Sequence, residues 1–116
     1  MSGILIIEDD NDVTEILTEN IKEIFSSLNI YSATDPVEAL GLYEANKYKI
    51  KYIICDYTLP IENGKIFIDI IKEFNPLIKI CVFTGNNALV KKDVENADHL
   101  FYKADGLDQV IDFLSH

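Results

Sequence analysis

Apolar and polar positions along this chain change rhythm in a regular way. The run "GILIIE" at 3–8 is β-branched and unbroken, the pattern of a short strand buried on both faces. Beyond it, Val13, Ile16, Leu17, Asn20, Ile24, Phe25 and Leu28 keep close to the spacing of one helix face. "NIYSA" at 29–33 predicts a second strand, and Asp35-Pro36 then offers an N-cap with proline at the first helical position, opening a helix through about Asn46. "KYIIC" at 51–55 is a third strand. Phe67, Ile70, Ile71 and Phe74 return to helical spacing until Pro76 stops them. "IKICVFT" at 78–84 is the fourth strand, a weaker helical segment covers about 88–96, and "LFY" at 100–102 is the fifth. Leu107, Val110, Ile111 and Leu114 mark a short closing helix.

Five strand–helix units follow. Strands apolar on both faces and joined by helices argue for an α/β, doubly wound, five-stranded parallel sheet with helices on both faces and right-handed crossovers. In such sheets the working crevice lies at the carboxyl ends of the strands, near the point where strand order reverses.

Length and composition narrow the picture. A chain of 116 residues fits one domain, expected to span 1–116 and to bury roughly two thirds of its unfolded surface. With 48% hydrophobic and 26% charged residues it is too apolar for disorder. The formal charge of −10 argues against nucleic acid, whose readers carry a basic face, and against anionic membranes. No apolar run approaches a spanning helix, and "MSGILIIEDD" reaches acidic residues too early for a signal peptide, so a cytoplasmic location is expected. Cys55 and Cys81 have no CxxC spacing and no nearby histidine, which predicts two reduced core thiols. His99 and His116 are expected at surface or edge positions, and "KYKIK" at 47–51 as a solvated loop and strand edge.

Chemistry gathers where the strands end. Strand one runs into Glu8-Asp9-Asp10, strand three into Asp56, strand four into Thr84 and strand five into Tyr102-Lys103. If strands one and three are neighbours, Glu8, Asp9 and Asp56 crowd together. At ~5 Å and an effective dielectric near 20, each pair repels by roughly 3 kcal/mol. One lysine cannot cancel three carboxylates. A divalent cation would, and an all-oxygen site with few protein ligands suits Mg2+. A carboxylate beside magnesium, a lysine and a hydroxyl is also equipped to attack phosphorus, with Asp56 as nucleophile and Lys103 and Thr84 holding the phosphoryl oxygens. Each residue alone has an ordinary explanation: Asp9, Asp10, Asn11 and Asp12 suit a helix start, Asp56 a turn, Thr84-Gly85 a strand exit, and Lys103 a solvated charge. Their conjunction at matching strand ends carries the argument.

The stretches "ILIIEDD", "CDYTLPIENG", "VFTG" and "FYK" fall in an order and at strand ends by which the chain resembles the response-regulator receiver family over essentially its whole length. Most specific is "DYTLPIENG", with Pro60 and Gly64 following the acceptor aspartate. The resemblance implies a flavodoxin-like sheet of order 2-1-3-4-5, and it implies that Asp56 accepts a phosphoryl group from a sensor histidine kinase or a histidine phosphotransfer protein. It further implies that Asp9, Asp56 and the backbone carbonyl of Thr58 ligate magnesium while Glu8 supports the metal through water. Thr84 and Lys103 would contact the phosphoryl group and pass its presence to a surface formed by the last helices and strand five. Slow hydrolysis would be tuned by the residues at Thr58 and Asn86. Apart from the resemblance, Tyr57 flanks Asp56 in sequence and is expected to shape access to it. The expected protein is a stand-alone phosphoacceptor with a downstream protein target, not an enzyme, and a monomer or weak dimer.

Three departures lie in the output half. Ala104 follows Lys103 where the family often has a cis proline, which predicts a trans bond because a cis non-proline peptide costs ~2.5–4 kcal/mol. Leu100 stands where many members carry a switching aromatic. The stretch between Thr84 and Lys103 looks about three residues short, which suggests a trimmed fourth helix. The alternatives are a magnesium phosphatase with an aspartyl nucleophile, a receiver-fold module with a non-standard switch, and a flavodoxin-like carrier. Such phosphatases usually place a second acid where Thr58 stands, and "EDDND" would repel a flavin phosphate.

Overall fold

The computed structural model describes residues 2–115. Its strands are β1 (Gly3–Ile7), β2 (Asn29–Ala33), β3 (Ile50–Cys55), β4 (Lys79–Thr84) and β5 (His99–Tyr102). Its helices are α1 (Asn11–Ile24), α2 (Pro36–Asn46), α3 (Gly64–Phe74) and α4 (Asp108–Leu114). The strands form one parallel sheet of order β2-β1-β3-β4-β5, as the sequence and its family resemblance led one to expect.

The unbroken apolar runs are explained by what covers each face. Leu5 and Ile7 of β1, Ile53 and Cys55 of β3, and Ile80 and Val82 of β4 enter one core cluster with Ala39 and Tyr43 of α2 and Phe67, Ile68 and Ile71 of α3. Alternate residues Ile4, Ile6, Ile54, Cys81 and Phe83 enter the other, with Leu17 and Ile21 of α1 and Val110 and Phe113 of α4. A strand with period-2 geometry that is apolar at every position has to be sandwiched in this way.

Helix starts follow local chemistry. Asp10 caps α1 by accepting from the amide of Asp12 at 2.9 Å. Asp35 caps α2 through the amide of Glu38 at 2.9 Å, the Glu38 carboxylate accepts from the Thr34 amide at 2.8 Å, and Pro36 opens the helix. Asn63 caps α3, and the helix ends before Pro76.

The connection from β4 to β5 differs from the expected helix over 88–96. Only Lys91–Val94 is helical, as a short 3-10 segment. Leu89, Val94 and Ala97 are buried at spacings of five and three, which peg a loop to the core but make no continuous helical stripe. Asp98 ties the end of this loop down, accepting from the buried Ile80 amide at 2.7 Å and from Lys72 Nζ at 3.0 Å. No described peptide bond is cis, Lys103–Ala104 included.

Both cysteines are free and buried, and burial pushes their thiols up, so neither is a ready nucleophile. His99 begins the edge strand β5 and is exposed, its ring stacked on Phe101. His116 lies outside the described residues. In "KYKIK" only Ile50 is buried. Among the described residues no helix is long and apolar enough to cross a membrane.

Candidate functional site

Parallel strands of similar register deliver their next residues to one edge. Pairing continues past the strands proper, since the Glu8 amide donates to Ala33 O at 3.0 Å and the Asp56 amide to Ile7 O at 3.0 Å. Glu8 and Asp56 thus leave neighbouring strands side by side. Thr84 ends β4 opposite Tyr102, so Lys103 emerges one residue later on the adjoining strand.

Together these ends line a cavity of about 470 Å³ that holds Glu8, Asp9, Asp56, Thr58, Thr84 and Lys103. Each of these six was expected from the sequence. Asp10, Gly85 and Asn86 complete the wall.

Glu8, Asp56 and Thr84 are buried, with only 3%, 7% and 1% of their surfaces exposed, whereas Asp9 and Thr58 face solvent. Lys103 Nζ lies 2.5 Å from Glu8 Oε1 and 2.9 Å from Asp56 Oδ2. Glu8 Oε2 accepts a longer bond, 3.3 Å, from the Asp10 amide. Asp56 Oδ1 is buried without a hydrogen-bond partner among the described residues. A buried carboxylate oxygen left in that condition costs several kcal/mol unless a proton or cation meets it.

Titration behaviour follows from burial. Desolvation raises the Glu8 carboxyl to about 7, helped by the nearby Asp56 charge and opposed by the hydrogen bond from Lys103. Burial on its own would depress the Lys103 ammonium, but its hydrogen bonds to Glu8 and Asp56 outweigh that and hold it above its ordinary value. One cation therefore serves two buried carboxylates, and the exposed Asp9 adds a third negative charge.

The carboxylate oxygens of Glu8, Asp9 and Asp56 lie within 4.8 Å of one another, an all-oxygen donor set that could hold a hard divalent cation. The orphaned Asp56 Oδ1 fits such an ion, because a cation there would end its isolation.

The loop after Asp56 is built to close quarters. The Gly64 amide donates to Tyr57 O at 2.7 Å, and a Cβ at Gly64 would run into the Asp56 carbonyl oxygen and stand 2.9 Å from Cys55 Sγ. Only glycine permits α3 to start against the acidic strand end. Tyr57 packs against the core beside α2 and α3 and does not line the cavity.

Two features escaped sequence reasoning. Tyr102 donates its hydroxyl to Leu89 O at 2.6 Å, binding β5 to the loop that leaves Thr84, while Leu100 packs into the core. Thr84 Oγ1 accepts from the Asn86 amide at 3.1 Å, so the hydroxyl on the cavity wall is part of the same loop's structure. A phenol ahead of the lysine was the available signal for Tyr102, but its partner lies 13 residues away.

Comparison with known proteins agrees with this geometry. The profile of the response regulator receiver domain matches residues 4–104. Comparison with curated protein sequences finds no match. Among solved structures, the response regulator TrrA from Thermotoga maritima in complex with Mg(2+)-BeF is similar at a TM-score of 0.87 and 22% identity, covering 99% of this chain and 97% of that one. A signal receiver domain of a DNA-binding response regulator from Colwellia psychrerythraea 34H is similar at 0.85 and 23%, covering 99% and 96%. The CheX-CheY-BeF3-Mg+2 complex from Borrelia burgdorferi is similar at 0.77 and 25%, covering 97% and 89%.

Proposed function

The chain belongs to the response regulator receiver domain family, whose members are signalling domains and not dedicated enzymes, and from that premise we propose that it takes a phosphoryl group on Asp56 in a magnesium-dependent reaction. The observation that carries this reading is the buried Asp56 carboxylate, with Oδ2 on Lys103 and Oδ1 without a partner, facing a cavity it shares with Glu8, Asp9 and Thr84.

The donor is a phosphohistidine of a sensor kinase or phosphotransfer protein. An Asp56 carboxylate oxygen attacks phosphorus, the P–N bond breaks, and its electron pair returns to the imidazole, which is protonated as it leaves. Lys103 turns its ammonium from the carboxylates to a phosphoryl oxygen, and the Thr84 hydroxyl, whose oxygen accepts from the Asn86 amide, has its hydrogen free to donate to another. Glu8, Asp9, Asp56 and the Thr58 carbonyl would hold the magnesium, Glu8 through water, and the ion would supply neutralisation of charge on the phosphoryl oxygens. Thr58 and Asn86 on the cavity rim set how readily water reaches the phosphorylated aspartate. The whole chain, 1–116, acts as one such domain in the cytoplasm, and its output is a change in protein-binding surface.

Incubation with acetyl phosphate and magnesium tests this. The intact mass should rise by one phosphoryl group that survives acid and is lost in alkali, and Asp56→Asn should show no gain. Rapid multiple turnover of ordinary phosphomonoesters would instead point to an aspartyl phosphatase, which the hydroxyl of Thr58 in place of a second acid disfavours. Unaltered mass in the presence of magnesium would sink the proposal.

A further inference from the structure

Away from the acid cavity, α2 and α3 leave an apolar groove of about 240 Å³ between them, lined by Pro36, Val37, Leu40, Ile61, Phe67 and Ile70. Its outer lip extends along α3, where Ile66, Ile70 and Phe74 form an i, i+4 ridge whose last member is 75% exposed. Contiguous apolar surface of this kind on a highly charged chain marks a contact face.

Ile61 is the second observation. It is 73% exposed and held at φ +75° inside a three-residue turn closed by the Glu62 amide donating to Pro60 O at 2.9 Å. This is the strained hand of the γ-turn, and a β-branched residue is poorly suited to it. Glycine would hold the turn at less cost. The chain instead keeps an aliphatic side chain at the groove's mouth, and strain retained beside a surface points to use of that surface.

Charge identifies the occupant. Glu62 lines the groove, Glu73 is exposed on α3 one turn beyond the groove residue Ile70, and neither has an ion-pair partner among the described residues. The lysines of α3 are committed elsewhere, Lys65 to Asp69 at 2.6 Å and Lys72 to Asp98 at 3.0 Å. A second copy of a chain with net charge −10 would meet like charge across this rim.

We propose that the α2–α3 groove, with Ile61 as an anchor at its mouth, binds an amphipathic helix of a partner protein that carries aliphatic residues on one face and lysine or arginine on its flanks. Apolar area supplies the affinity, while the acidic rim selects the basic helix over an acidic one.

A fluorescent helical peptide of leucine and lysine tests it by anisotropy, beside a twin with glutamate for each lysine, and with acetyl phosphate uptake read separately. The lysine peptide should bind at least about tenfold more tightly than its twin, and its affinity should fall about tenfold in both Leu40→Glu and Ile61→Gly. The Leu40→Glu result is decisive in sign, because diffuse attraction to an acidic protein would be strengthened by another carboxylate. Ile61→Gly should also raise the thermal midpoint, so weaker binding by a more stable protein cannot be ascribed to unfolding. Equal binding of the two peptides, affinity unchanged in either variant, or self-association of the wild type that Leu40→Glu abolishes would each overturn the proposal.

Discussion

The Lys103 ammonium bridges Glu8 and Asp56, two buried carboxylates that enter from neighbouring strands, at 2.5 and 2.9 Å. Removing one member of such a buried group leaves the others uncompensated, which is far more harmful than losing an exposed ion pair. Lys103→Met should therefore cost about 3 kcal/mol or more near pH 9, where Glu8 is ionised beside the lysine, and clearly less near pH 5, where Glu8 carries a proton with or without it. Urea midpoints at the two pH values check this, and an equal penalty at both would contradict the bridge.

Glu8 makes the wild-type protein pH-dependent as well. Its carboxyl titrates at about 7 in the fold and near 4.5 when the chain is unfolded. Between those values the folded chain binds more protons, so stability falls as pH rises through the window, by about 3 kcal/mol at full extent. Asp69 and Asp98, both held below their ordinary range, titrate beneath it. Denaturant titrations in chelator should show this decline, and magnesium should flatten it. A metal-free protein whose stability is constant across the window would refute the assignment.

Gly64 lies against the Asp56 carbonyl, where a Cβ has no room. Gly64→Ala should cost roughly 2 kcal/mol or more despite alanine's better helix propensity, because backbone has to move. It should also slow phosphate uptake by displacing the strand end. Thermal unfolding and the mass assay read the two effects, and a stabilised, fully active variant would show that the approach is looser than described.

The Tyr102 hydroxyl bond to Leu89 O gives a local prediction. Tyr102→Phe should lose about 1 kcal/mol. Amide exchange should quicken in 86–94 and stay unchanged in α1. Uniform exchange across the chain would mean that the phenol holds nothing in particular.

Asp98 joins the end of the same loop to a buried amide of β4 and to α3. Asp98→Ala should cost roughly 2–3 kcal/mol, since the Ile80 amide is left without its acceptor. Acetyl phosphate uptake should persist, because Asp98 stands outside the acid cavity. Loss of uptake in a folded variant would tie the loop to the chemistry more closely than these contacts do.

Much of this was legible in the residues. Unbroken runs such as Ile4 to Ile7 read as strands because both neighbours in each alternation are covered, and the acid site was legible because strand ends in a parallel sheet share an edge. What stayed hidden depends on partners distant in sequence. Leu89, Val94 and Ala97 carry the apolar content of a helix without its spacing, so the expected segment over 88–96 shrinks to one short turn. Tyr57 was expected beside the approach to Asp56, but adjacency in sequence says nothing about the side to which a loop residue turns, and its ring packs against the core. The left-handed backbone of Ile61 could not be anticipated from a β-branched residue. Pro60 before it was the one hint, as proline often occupies the position ahead of a positive φ in tight turns.

The short passage between β4 and β5 has a mechanical consequence. A rigid cylinder can tilt or screw while keeping its internal bonds, but a single lap of four residues has no axis to move along. Besides its own short-range bonds it is held from outside, near one end by the phenol on Leu89, at the other by the carboxylate of Asp98, and between them by buried Leu89, Val94 and Ala97. Cutting either mooring should loosen the end it holds, while the buried side chains of Leu89, Val94 and Ala97 keep the middle of the span in place.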